Sequence, residues 1–229
     1  MSVRRLAKEQ PDSFAFNKKS EDEIKFWLAK YPEGKQASAV IPMLWIAQKQ
    51  EGWVSEPAIR EIADRLGMPY IRVYEVATFY TMFNLEPVGE HLIQVCGTTP
   101  CMLRGSDDLI SVCKNRIGKQ HEMSEDGKFT WVEVECMGAC ANAPMIQLAN
   151  KDGDHYIEDL DGEKFEKLLD DLAAGKKVEY GPQSERNASE PHGTKVLSDP
   201  SLYDGSKAKK IKLPNAAPKG KAKSAKAEG

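Results

Sequence analysis

The sequence predicts an α+β protein: an N-terminal helical bundle, then a small α/β domain, then an extended C-terminal tail. Three observations predict it. Apolar residues between positions 24 and 80 recur at helical spacing. Beyond Pro87-Val88-Gly89 the pattern changes to short alternating runs separated by turns. After Leu213 bulky residues almost vanish. The predicted boundaries are an N-terminal arm over 1–19, the bundle over 20–87, the α/β domain over 88–180, and a Lys-rich tail over 181–229.

The bundle has four helices. Ile24, Trp27, Leu28 and Tyr31 fall at i, i+3, i+4 and i+7, with Ser20 as the expected N-cap. Val40, Ile41, Leu44 and Trp45 repeat the spacing, and Gly52 stops the second helix. Ser55 is the expected cap of the third, with Pro57 in its first turn. Its stripe is Ile59, Ile62, Ala63 and Leu66, ended by Gly67. Val73, Val76, Ala77 and Tyr80 define the fourth, after Met68-Pro69. Short loops make the four helices neighbours. Phe79, Tyr80 and Phe83 are read as core, with docking of a partner as the second reading.

In the α/β domain, residues 91–95 predict a strand that ends at Cys96. Residues 102–118 predict one helix facing inward through Leu109, Ile110, Cys113 and Ile117. Residues 129–134 alternate as a strand and end just before Cys136. Residues 145–148 and 155–157 predict two more strands around a Lys151-Asp152-Gly153-Asp154 turn. Asp161 caps a last helix built on Phe165, Leu168, Leu169 and Leu172, ended by Gly175. The order β-α-β-β-α is a small α/β unit.

Composition narrows the function. Apolar residues make up 41% and charged residues 29% of 229, which suits a globular chain with a core. No apolar run approaches the roughly 18–20 residues of a membrane span. Met1-Ser2-Val3-Arg4-Arg5 is not followed by the apolar stretch of a secretory signal. Five cysteines, odd and sparse, do not suit a disulfide framework, so a reducing compartment is expected. Residues 206–229 hold eight lysines and one acid, a net of +7 on a chain of net −3, which leaves −10 on the rest. A solvated extension is the first reading of that tail. An acidic partner surface or anionic lipid comes next, and nucleic acid is disfavoured by the acidic body.

The chemistry lies in four cysteines. Cys96 and Cys101 form a C-x4-C pair; Cys136 and Cys140 form a C-x3-C pair, with 34 residues between the two pairs. Each pair follows a predicted strand, so neighbouring strands would bring four thiolates together. Soft thiolates select iron–sulfur clusters or zinc. Structural zinc sites favour tighter C-x2-C knuckles, so the wider spacing suits a larger object. A [2Fe–2S] cluster needs two sulfurs per iron. Cys96 and Cys101 are assigned to one iron, Cys136 and Cys140 to the other. Gly97 and Gly138 are expected to let backbone N–H groups approach the sulfurs, and Pro100 to stiffen the approach to Cys101. Zinc and scattered buried thiols remain the alternatives. Cys113 reads as an inert core thiol. His91, His121, His155 and His192 stand apart from the cysteines, and no nucleotide-binding or nucleophile-elbow motif is present. An electron carrier without a substrate site implies a partner that has one.

Four stretches carry a resemblance: Ile41-Pro42-Met43-Leu44 with Gln48 and Gly52-Trp53-Val54-Ser55; Val73 through Phe83 (VYEVATFYTMF); Val95-Cys96-Gly97-Thr98-Thr99-Pro100-Cys101; and Glu135-Cys136-Met137-Gly138-Ala139-Cys140-Ala141-Asn142-Ala143-Pro144. Over about residues 20–180 the chain closely resembles the small thioredoxin-like [2Fe–2S] subunit of respiratory complex I, the NADH:quinone oxidoreductase (the NuoE family). The resemblance implies a helical bundle before a thioredoxin-like ferredoxin domain, with Cys96, Cys101, Cys136 and Cys140 as ligands of the cluster. It implies no catalytic residue on this chain. The implied partners are a flavoprotein subunit that holds FMN and binds NADH, and other peripheral-arm subunits of the complex. The implied place is peripheral, on the cytoplasmic face of the inner membrane, or the matrix side in mitochondria. Equivalent subunits of NAD-linked formate dehydrogenases or soluble hydrogenases share the cysteine pattern. A zinc-stabilised interaction module is the alternative of another class. The family's fold also gives a reason for Ala143-Pro144: thioredoxin folds place a cis-proline before the third strand.

Overall fold

The computed structural model describes residues 4–184. The Lys-rich stretch 206–229 lies outside the described residues, as does His192.

Four α-helices form the first part: α1 (Lys18–Leu28), α2 (Val40–Glu51), α3 (Glu56–Leu66) and α4 (Tyr70–Phe79). A 3₁₀ turn, Gln36–Ala39, leads into α2. The N-cap of α1 is Asn17, not Ser20: the Asn17 side chain accepts from the Ser20 N–H. Asn and Ser cap equally well, so composition left the boundary open, and Ser20 is instead buried and bonded to Gln50. Gly52 and Gly67 end α2 and α3 in the left-handed conformation, and Ser55 caps α3 through the Ala58 N–H. Met43, Leu44, Ile59, Ile62, Val73, Ala77 and Phe83 are fully buried at the centre of this bundle.

The aromatic run at the end of α4 divides. Phe83 is core, whereas Phe79 is 77% exposed and Tyr80 lies outside the helix as its C-cap. The N-terminal arm reaches this end: the Arg4 guanidinium donates to the carbonyls of Ala77, Thr78, Tyr80 and Phe83. It thereby satisfies acceptors that a helix C-terminus leaves open.

The second part is a five-stranded sheet of order β2-β1-β3-β4-β5, with β1 His91–Cys96, β2 Phe129–Val134, β3 Ile146–Asn150, β4 Gly153–Glu158 and β5 Gly181–Pro182. Strands β1 and β2 are parallel, with His91 opposite Phe129 and Cys96 opposite Val134. Strand β3 runs antiparallel to both β1 and β4. The short β5 pairs with β4, so the first residues of the predicted tail join the sheet edge.

One sheet face carries Ile93 and Val95, Phe129 and Trp131, Ile146 and Leu148, spaced by two as strand geometry requires. It packs with α6 (Ser106–Arg116) and α7 (Gly162–Ala173), chiefly through Leu109, Cys113, Phe165 and Leu169. The helix expected over 102–118 is two helices, α5 (Thr99–Leu103) and α6. Gly105, at φ +101°, breaks them because no side-chain-bearing residue readily adopts that angle. Asp161 caps α7 as expected. The Ala143–Pro144 peptide is cis, immediately before β3.

Gly89 marks the closest backbone approach at the entrance to β1. A Cβ there would lie 2.6 Å from the Phe129 nitrogen, and the Gly89 N–H donates to the Thr130 hydroxyl at 2.9 Å. Gly89→Ala is therefore expected to cost about 1–3 kcal/mol by overpacking against main chain that cannot yield. Gly162→Ala, at the start of α7 with open space around its Cβ, should be neutral or stabilising by up to about 1 kcal/mol. Urea denaturation of both variants checks the contrast.

Candidate metal centre

The parallel pairing of β1 with β2 brings the two cysteine pairs together. Cys96 is the last residue of β1, and Cys136 follows the partner position Val134 by two residues. Cys101 lies on α5, which starts three residues after β1. Cys140 opens a single 3₁₀ turn, Cys140–Asn142, in the loop between β2 and β3. The four cysteines thus come from the chain leaving two adjacent strand ends.

Their arrangement is two by two. The Cys136 and Cys140 sulfurs are 3.4 Å apart. Two sulfurs about 2.3 Å from one tetrahedral metal lie roughly 3.8 Å apart, so the pair is spaced much as ligands of a single metal would be. Cys96 and Cys101 lie together in one small buried cluster. Among the described residues, no group of three His, Cys, Asp or Glu side chains converges on one ion-sized point.

The pairs differ in exposure. Cys96 and Cys101 are buried, at 1% each, in a small apolar cluster with Ala143 and Met145, flanked by Met137 and Ala139. Cys136 and Cys140 are exposed. Burial pushes the Cys101 thiol up to about 12, and the neighbouring Cys96 adds to the shift. At Cys96 burial acts in the same sense, but it is outweighed by hydrogen bonds from the Thr98 side chain and main chain and from Met137, so its thiolate is favoured overall. The Gly138 N–H, then Cys140, favour the Cys136 thiolate, and Cys140 is correspondingly raised.

Backbone donors therefore face the sulfurs: Thr98 and Met137 toward Cys96, Gly138 toward Cys136, and Met145 toward Cys101. Gly138 acts as expected, with its backbone at φ +90°. Gly97 does not. Its N–H donates to the Val134 carbonyl in the sheet, and a Cβ on it would meet the Glu133 carboxylate at 2.1 Å. That crowding comes from an exposed, flexible side chain that can swing away. Cys113 is buried in the core, its thiol pushed up to about 12 by burial. His91 and His155 lie against Phe129 and Tyr180, away from the cysteines.

Two contacts hold the Cys136–Cys140 loop to the end of β4. Tyr156 donates its hydroxyl to the Met137 carbonyl at 2.9 Å. The buried Asn142 amide donates to the Asp159 carboxylate at 2.5 Å, and the Asp159 N–H returns a bond to the Asn142 carbonyl at 2.8 Å. Ser184, just past β5, donates to the same carboxylate. Neither Asn142 nor Asp159 stood out in the sequence, because their partners are 17 and 25 residues away.

A donor set of four thiols, with no imidazole or carboxylate among them and with main-chain N–H groups aimed at the sulfurs, fits an iron–sulfur centre. Comparison with known proteins agrees. The thioredoxin-like [2Fe–2S] ferredoxin family matches residues 24–173. The first E-type NADH-quinone oxidoreductase subunit of Rhizobium meliloti (strain 1021) is 52% identical over 199 residues, covering 84% of this chain and 71% of its own. The E-type NADH-quinone oxidoreductase subunit of Rickettsia bellii (strain RML369-C) is 51% identical over 162 residues, covering 70% and 95%. Among solved structures, an air-oxidised NAD+-reducing [NiFe]-hydrogenase aligns with a TM-score of 0.51 at 16% identity, over 60% of this chain and 23% of that one. That likeness concerns the fold alone.

The two loop contacts should differ in weight. Asn142→Ala leaves a buried carboxylate short of a donor and is expected to cost about 1–3 kcal/mol. Tyr156→Phe removes an exposed hydroxyl and should cost no more than about 1 kcal/mol. Urea unfolding of the two variants separates them, and equal costs would show that Asn142 does not anchor the loop.

Proposed function

Because the chain belongs to the thioredoxin-like [2Fe–2S] ferredoxin family, and to its branch of E-type subunits in NADH-quinone oxidoreductases, we propose that it is the electron-transfer subunit that accepts an electron from the FMN of a partner flavoprotein. The observation that carries this reading is the two-by-two set of thiols at the ends of two adjacent parallel strands. In this reading Cys96 and Cys101 hold one iron, and Cys136 and Cys140 hold the other. Bound there, a [2Fe–2S] cluster supplies reversible one-electron chemistry.

The chain's own residues then have distinct tasks. Met145, Ala143, Met137 and Ala139 exclude water from the Cys96–Cys101 side. The N–H groups of Thr98, Met137, Gly138 and Met145 offset the negative charge of the thiolates. The open side, where Cys136 and Cys140 are exposed, is the side that an electron-donating partner must cover. Met102 and Leu103, next to Cys101 on α5, are exposed apolar residues suited to such a contact.

The sequence holds no residue constellation for hydride or quinone chemistry, so the oxidoreductase activity belongs to the assembled complex. Among the described residues, no helix is long and apolar enough to cross a membrane. The place we assign is peripheral, on the cytoplasmic face of the membrane or the matrix side in mitochondria. Equivalent subunits of formate dehydrogenases or hydrogenases would use the same site. The identity of the co-purifying chains distinguishes these hosts.

Anaerobically purified full-length chain should contain about two irons and two acid-labile sulfides, with a rhombic S = 1/2 EPR signal after dithionite. Replacing Cys136 or Cys140 by Ser should abolish or reshape that signal, whereas Cys113→Ser should leave it unchanged. Stoichiometric zinc with no signal would overturn the electron-transfer reading.

A further inference from the structure

Thr98 occupies the N-cap of α5 and does not use its side chain as a cap. Its backbone, at φ −79° and ψ 166°, has the extended conformation of a capping residue, and its carbonyl accepts from the Met102 N–H at 2.9 Å. In that position a Thr hydroxyl ordinarily accepts from an N–H two or three residues on. Here it makes no such bond. It lies 3.3 Å from the Cys96 sulfur.

Chemistry fixes the direction of this contact once the cysteines act as ligands. A metal-bound cysteine is a thiolate, which only accepts. The hydroxyl must donate. The Thr98 N–H also favours the Cys96 thiolate, so the side chain adds a second donor on the buried side.

We propose that Thr98 is a positioning residue that donates a hydrogen bond from its hydroxyl to the Cys96 thiolate and so raises the reduction potential of the centre. The proposal rests on the four cysteines being the cluster ligands. Adding an electron increases negative charge on the sulfurs, so a donor aimed at them stabilises the reduced state more than the oxidised one. Removing it disfavours reduction.

The test is an EPR-monitored redox titration of the cluster-loaded full-length chain, comparing wild type with Thr98→Val, Thr98→Ala and Thr98→Ser. Val keeps the branched shape and loses the donor, and Ser keeps the donor and loses the methyl. Val and Ala should each lower the equilibrium constant for reduction by about tenfold, a shift of ~59 mV for a one-electron couple. Ser should stay at the wild-type potential, and g-values should move only in Val and Ala. Retention of the cluster by Ser with its loss from both Val and Ala would equally support the hydroxyl, since that group alone separates them. A Val or Ala variant with full iron content at the wild-type potential would overturn the proposal, as would a Ser variant shifted as far as Val. Zinc or no iron in the wild type would instead bring down the ligand assignment, and Thr98 with it.

Discussion

The site depends on the parallel register of β1 against β2. Parallel strands point their C-terminal ends the same way, so whatever the chain does on leaving each strand, it does in the same place. Cys96 ends one strand and Cys136 follows the other by two residues. An antiparallel pairing of the same segments would put the cysteine pairs at opposite ends of a six-residue ladder, roughly 20 Å apart. Such a pairing needs a long crossover, which α5 and α6 supply, and Gly105 lets the chain turn between them. Gly89 allows the two strands to approach closely where the ladder begins.

Much of this was legible from the residues. Helical spacing found all four bundle helices, and alternation found β1 to β4, because both patterns are local. Ser55, Gly52, Gly67 and Asp161 act at the positions their chemistry favours. The failures were also physical. Asn17 and Ser20 are both good caps three residues apart, and only the contact with Gln50 shows why Ser20 is buried. The break at Gly105 was hidden because Met102 and Leu103 just before it are apolar, although the structure leaves both exposed. β5 has two residues and no periodicity to detect.

For the candidate metal centre, the sequence showed the four cysteines and the structure showed their surroundings. Cysteine spacing follows strand ends, so it survives in one dimension. The N–H donors do not: an amide carries no residue signature, and Met137 and Met145 face sulfurs because of backbone geometry alone. Gly97 shows the opposite hazard. A glycine beside a ligand invites a role in the ligand shell, yet its N–H belongs to the sheet and the Glu133 side chain fills the space beside it. Asn142 and Asp159 were hidden because their pairing is long-range.

The unequal burial of the two cysteine pairs also bears on survival. Oxidation of cysteine follows thiolate character and access to solvent. Cys136 and Cys140 are exposed, whereas Cys96 and Cys101 lie behind methionines and alanines. Oxidants in the surrounding water therefore meet Cys136 and Cys140 before Cys96 and Cys101. Under the proposed function, a partner seated on that face would act as a shield as well as a donor, and a copy of this chain without it would be the oxygen-sensitive form.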